Sequence, residues 1–331
     1  MTLRVWSEFL PFERLTDPAL LKLLAHFRLS LCLAIPPRSE EGPPLLARAL
    51  GACAEHGVPV SWWVLLEESA GYWPCETNLL AYEQRVSTLR SWALQQRLPF
   101  ESLAVDLELP LPQVQAFRAA QGWAKAGVAR RIVRENLQSQ RFEQSVRDWS
   151  SFAQRLHHEG VSTLCAALDV VVDDLFLPQP VFQDVLETPI WAVGWQTVSV
   201  MHYNSLLAQL FGCSEADARW QQYVLGLKLV ERLGPSRVGF SLGLTGVGVL
   251  GDEAFYTSPE SLRLDVAAAR AAGVQELALY DLRGLLNQAQ PEKWLEILCH
   301  TEGFAPVETP WAWKSAWVRR GLGGFLRLLR H

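Results

Sequence analysis

The chain of 331 residues could form two average domains or one large α/β domain, and its make-up, 49% hydrophobic and 20% charged, suits a globular protein rather than a disordered one. A formal net charge of −5 gives no reason to expect nucleic acid as the main partner. The six cysteines, Cys32, Cys53, Cys75, Cys165, Cys213 and Cys299, form no C-x-x-C pair, which argues against redox motifs and metal clusters and for reduced thiols.

The first fifteen residues, MTLRVWSEFLPFERL, lack the basic start and apolar core of a signal peptide, so a cytoplasmic protein is expected. No stretch approaches the ~18 uninterrupted apolar residues of a membrane span. Along the chain, short β-rich runs alternate with helical ones. The predicted strands are Leu3–Phe9, Arg28–Ile35, Val58–Leu66, Leu103–Glu108, an over-long Ser162–Val172, Thr197–Tyr203, Arg237–Leu244 and Glu276–Tyr280. The helix after the first strand opens with Asp17 as N-cap and Pro18 at its first position. Asn78 and Ser258 are cap candidates further on, and Gly273 is a stop signal.

Strictly alternating strands and helices imply parallel strands with helical crossovers. Eight such units predict a (β/α)8 TIM barrel over residues 1–310, with a long helical insertion after strand four at about 112–160. A doubly wound open sheet is the second choice, because no G-x-G-x-x-G follows the first strand and the run GLTGVGVLG lacks a P-loop lysine. Residues 311–331 form a basic, Trp-rich tail holding Lys314, Arg319, Arg320, Arg327 and Arg330 and no acid. A helix docked on the acidic body is expected there. Peripheral contact with an anionic membrane surface is the alternative.

Barrel enzymes work at the carboxyl ends of their strands. Those ends give Glu67 and Glu68 after strand three, Asp106 and Glu108 on strand four, and Asp169, Asp173 and Asp174 on strand five. Strand six adds His202, Tyr203 and Asn204, and strand eight adds Tyr280 and Asp281. In an extended chain Asp106 and Glu108 share one face, an unfavourable pairing in an apolar strand unless it is used. An acidic mouth with aromatic and amide groups suits a neutral, hydroxyl-rich ligand such as a carbohydrate. Tyr72 and Trp73, in the loop after strand three, are stacking candidates, and Glu67 lines the site or caps its loop.

The stretch FESLAVDLE resembles the fourth-strand motif D-x-x-D-x-D-x-E of family 18 glycoside hydrolases, the chitinase and endo-N-acetylglucosaminidase family. Glu101 falls at the first Asp, Ala104 at the second, Asp106 at the third and Glu108 at the catalytic Glu. On strand six, MHYN resembles that family's M-x-Y-D, with Tyr203 at the tyrosine and Asn204 at the aspartate. On strand eight, Tyr280 of LALYDL stands about where the family has a tryptophan flooring the sugar site. The resemblance implies a retaining, substrate-assisted cleavage of β-linked N-acetylhexosaminides. Glu108 would be the general acid, and Asp106 and Tyr203 would hold the acetamido group. Glu67, Tyr72, Trp73, Asn204, Tyr280 and Asp281 would bind substrate, with no metal or other cofactor. Ala104, Asn204 and Tyr280 depart from the family pattern and motivate a second reading, a barrel that holds glycan without cutting it. A third is a metal-dependent sugar isomerase or hydrolase using Glu67, Glu108, Asp169 and His202. The sequence leaves the oligomeric state open.

Overall fold

A computed structural model describes residues 1–246, 248 and 251–329. Part of the glycine-rich run (Val247, Val249 and Leu250) and the last two residues, Arg330 and His331, lie outside the described residues. Eight parallel strands close into a barrel in sequence order, each hydrogen-bonded to the next and the last to the first. They are β1 (Thr2–Ser7), β2 (Ser30–Ile35), β3 (Val60–Val64), β4 (Ser102–Asp106), β5 (Ser162–Leu168), β6 (Thr197–Met201), β7 (Val238–Gly243) and β8 (Glu276–Tyr280). The expected order and number of strands are those observed. Most ends are shorter than the apolar runs suggest, because the last apolar residues leave the ladder for the mouth loops. The fifth stops at Leu168 and gives way to a 3-10 turn, Asp169–Phe176.

Alternation along each strand sorts side chains into two layers. Outward residues such as Val5, Leu33, Val64, Val105, Ala167, Val200, Phe240 and Leu279 pack under the helices in the main core. Inward residues form a smaller cluster with Trp6, Trp63, Ala34, Ala104, Ala166 and Ala278. In register, Trp63 lies beside Ala34 on one side and Ala104 on the other. Alanines at these positions leave room for two indoles, whose rings meet edge to face at 5.0 Å. Below them the barrel floor is polar and paired. Arg4 bridges to Glu276 at 3.2 Å and donates to Ser61 at 3.1 Å, and Trp6 Nε1 donates to Ser241 at 3.0 Å.

Local signals act as their chemistry dictates in some places and not in others. Asp17 accepts from the Ala19 N–H at 2.9 Å, as a cap should. Gly273 follows helix Pro259–Ala271 at φ 84°, the left-handed conformation that suits glycine. Asn78 does not cap its helix. Its side chain accepts from Cys75 N–H and donates to the carbonyls of Ala70 and Trp73, bracing the loop after β3. The long helical insertion expected between β4 and β5 is three helices, Leu111–Ala119, Gly122–Asn136 and Ser139–His158. Breaks at Ala120 and Leu137, neither with helical dihedrals, divide it. The chain ends in helix Pro310–Leu329, packed on helix Glu215–Leu233 and on the turn after β5.

Candidate active site

A cavity of about 430 Å3 opens at the carboxyl ends of the strands. Its lining includes Trp6, Glu8, Trp63, Trp73, Asp106, Glu108, Tyr203 and Tyr280. An aliphatic part of the wall comes from Met201 and from Leu206, Leu207 and Leu210 of helix Asn204–Phe211. Strand ends supply the chemistry. Asp106 is the last residue of β4 and is buried. Glu108 lies just past the strand, where its N–H donates to the Pro74 carbonyl at 3.3 Å, tying this turn to the loop that carries Trp73. The strand expected to include Glu108 thus ends two residues earlier, yet both carboxyls reach the same cavity.

A third carboxyl joins them. Glu8, immediately after β1, accepts from the Tyr72 hydroxyl at 2.8 Å and from the Tyr280 hydroxyl. Burial pushes Glu8 up to about 7, against the two tyrosine hydrogen bonds, and Asp281 and Glu253 add to the rise. Burial and the Glu8 charge push Glu108 up to about 8. Burial, then Glu108 and Glu8, hold Asp106 well above the usual carboxylate range. Three carboxyls in one low-dielectric site cannot all ionise near neutral pH, so protons are retained among them. Among the described residues, Asp106 Oδ1 and the Trp63 indole N–H are buried without a hydrogen-bond partner. Polar atoms in that state are costly and mark a place where a ligand can complete the bonding.

Tyr203 is half-buried, lines the cavity, and stacks on Tyr280 with ring centroids 5.9 Å apart. Of the other expected substrate contacts, Trp73 and Tyr280 are in the cavity wall, and Tyr72 braces Glu8 from behind it. Three do not reach it. Glu67 is on the exposed rim, 3.3 Å from Arg38. Asn204 is fully buried outside the cavity, its amide donating to Gln222 at 2.6 Å. Asp281 caps the short helix after β8, accepting from Gly284 N–H at 2.8 Å.

The four residues of the metal reading are not gathered either. His202 points out of the barrel, as its parity requires, with Nε2 3.1 Å from the Ala218 carbonyl. Asp169 lines the cavity but is engaged by Arg319 at 3.1 Å and lies 3.4 Å from His202 Nδ1. Among the described residues no group of three or more His, Cys, Asp or Glu is arranged to hold a metal ion.

Glu8, Glu253, Trp6, Trp63 and the aliphatic wall are absent from the strand-end reading of the sequence. For Glu8 the signal was present, since it follows the first strand as Glu67 follows the third. The wall had none, because Leu206, Leu207 and Leu210 read as an ordinary helix.

No protein-family model matches the chain, and no curated protein matches it. Solved structures do. The glycoside hydrolase domain of PgaB (BpsB) from Bordetella bronchiseptica superposes with a TM-score of 0.53 at 13% identity, covering 90% of this chain and 99% of that domain. A GH18 chitinase from Pseudoalteromonas aurantia gives 0.49 at 11% identity, covering 89% and 98%. A GH18 chitinase from Cycas revoluta, solved with allosamidin, gives 0.49 at 12% identity, covering 90% and 99%. The fold is therefore similar to that of a glycoside hydrolase barrel, in a divergent form.

Proposed function

We propose that the chain is a glycoside hydrolase that cleaves β-linked N-acetylhexosaminides with retention and with the substrate's own acetamido group as nucleophile. One observation carries the reading. Glu108 opens into a cavity of sugar size while burial and Glu8 keep its proton in place up to about 8. A general acid needs a proton it still holds at working pH.

Glu108 gives that proton to the glycosidic oxygen as the C1–O bond breaks, and is left as a carboxylate. The acetamido carbonyl oxygen of the same sugar bonds to C1 from the other face, closing a five-membered ring that carries the positive charge. Asp106, with Oδ1 unpartnered, accepts the acetamido N–H and faces that charge. Tyr203 donates to the acetamido carbonyl, and Met201 offers its methyl group an apolar neighbour. Water then attacks C1 and gives a proton to Glu108, the bond from C1 to the acetamido oxygen breaks, and the sugar leaves with its configuration retained. Trp6, Trp63, Trp73 and Tyr280 supply ring faces and edges for the sugar. Glu8 acts through Glu108 as a positioning residue. In the expected cytoplasmic setting the substrates would be internal glycans or wall fragments.

Asn204, turned away from the cavity, and Ala104, without a carboxyl, favour a second reading in which the barrel binds glycan and does not cut it. A panel of fluorogenic glycosides, led by N-acetylglucosaminide and its β-1,4 oligomers, separates the two. Turnover by the wild type that collapses at least 100-fold in Glu108→Gln supports the hydrolase. Binding of the oligomers without turnover by either protein supports the binding module.

A further inference from the structure

We infer that the C-terminal helix, Pro310–Leu329, is a docking surface for an anionic lipid bilayer. The inference is independent of the hydrolase reading. One face of the helix is fixed to the barrel. Arg319 is held by Asp169 and Asp173, Leu326 is buried, and Gly323 packs so closely that a Cβ there would meet Leu177 and Phe182 at 3.2 Å. These residues recur at i, i+4 and i+7, so the helix is seated in one rotation.

That rotation turns an apolar face to solvent. Val318, Leu322, Phe325 and Leu329 follow at i, i+4, i+7 and i+11, and all are exposed. Trp317 and Leu328 widen the stripe and are 75% and 77% exposed. A helix in a water-soluble surface normally shows the reverse, with its polar face outward. Arg320 and Arg327 lie seven residues apart along one edge of the stripe, and neither forms an ion pair among the described residues. The helix has no acidic residue. Lys314, also exposed, adds a third positive charge to the helix. An outward apolar stripe with a Trp, bordered by unpaired cations and free of acids, is the pattern of a helix lying in the plane of an anionic interface. A second copy of this chain packed antiparallel on the stripe would set arginine against arginine, which disfavours that occupant. No described helix is long and apolar enough to cross the bilayer, so the contact would be peripheral.

The test is co-sedimentation of the full chain with vesicles of phosphatidylcholine alone or with about 30% phosphatidylglycerol, at low and high salt. Wild type should bind the phosphatidylglycerol vesicles, lose affinity with salt, and bind phosphatidylcholine far more weakly. Removing one cation near the surface should weaken binding about fivefold, so Arg320→Gln with Arg327→Gln should weaken it about 25-fold. Trp317→Ser with Phe325→Ser should abolish it. All four side chains reach solvent, and unchanged melting curves would verify that the variants fold. Absence of vesicle binding by the wild type, or equal binding by the variants, overturns the proposal. So does a concentration-dependent dimer that Trp317→Ser with Phe325→Ser dissolves while vesicles are ignored.

Discussion

Replacing Glu108 by glutamine keeps the shape of the side chain and removes its titration, so stability reports on the buried acid without any substrate. In the fold, burial and Glu8 raise Glu108 from an ordinary 4.5 to about 8. Between those values the unfolded chain has lost a proton that the native chain keeps. The contribution of the carboxyl is thus fully present below about 4.5 and is lost as pH rises towards about 8. At about 1.4 kcal/mol per pH unit the loss saturates near 5 kcal/mol, an upper figure because Asp106 and Glu8 share protons with Glu108. Urea denaturation of wild type and Glu108→Gln at about pH 4.5, 6, 7.5 and 9 measures the difference directly. Titration of groups that do not interact with Glu108 cancels in it. The variant should gain on the wild type steadily from acid to alkali, by several kcal/mol in all. A stability difference that stays flat across that range refutes the buried carboxyl cluster, whatever the activity assays show.

Glu8→Gln removes a charge that raises Glu108, so the basic limb of kcat/KM should move to lower pH while the mutant stays folded. Tyr280→Phe deletes one of the hydrogen bonds that hold Glu8 down, so Glu8 keeps its proton to higher pH, its charge weighs less on Glu108, and the basic limb should move in the same direction as in Glu8→Gln, by less. Arg319→Met strands Asp169 and Asp173, and chemical denaturation at neutral pH should show a loss of about 3 kcal/mol. Arg319, with help from His202, holds Asp169 well below the usual carboxylate range despite burial, so that deficit should shrink as pH falls through about 4 and below. Gly284→Ala would push a methyl to 2.6 Å from Gly246 N and 2.7 Å from the Thr245 carbonyl carbon, and a melting curve should show about 1–3 kcal/mol of destabilisation.

The barrel was legible because each strand is a short apolar run and each crossover carries a helical pattern, and parity then placed Asp106 and Tyr203 inward and His202 outward. On β6 parity holds for two residues past the ladder, and it stops being informative where the chain turns into a helix or a loop. Asn204 lies past Met201, the last residue of β6, and its amide is turned by Gln222 on a helix whose position the local sequence does not encode. Glu67 is in the same situation beyond β3, on an open rim beside Arg38. Tyr72 adopts φ 68°, and that backbone conformation accompanies a hydroxyl bound to Glu8 rather than a ring presented to the cavity. The pairing of Glu8 with Tyr72 and Tyr280 joins residues 64 and 272 positions apart. Only closure of the barrel brings them together.

Closure also accounts for the alanine in the fourth-strand motif. Ala104 is inward, level with Trp63 on one neighbouring strand and Leu164 on the other. An indole and a carboxylate compete for that layer, and here the indole fills it, with alanines on both of its flanks. A carboxylate there would be stripped of water beside Trp63 and the Asp106 carboxyl, an arrangement that raises its own pKa and costs stability. The third carboxyl instead comes from the end of β1, where Glu8 is anchored by two tyrosine hydroxyls and remains in contact with the cavity. Electrostatic coupling depends on distance and dielectric, not on which strand supplies the charge. A carboxyl on β1 can therefore hold a proton on Glu108 as well as one on β4 could, and the motif on β4 need not be complete for the cluster to be.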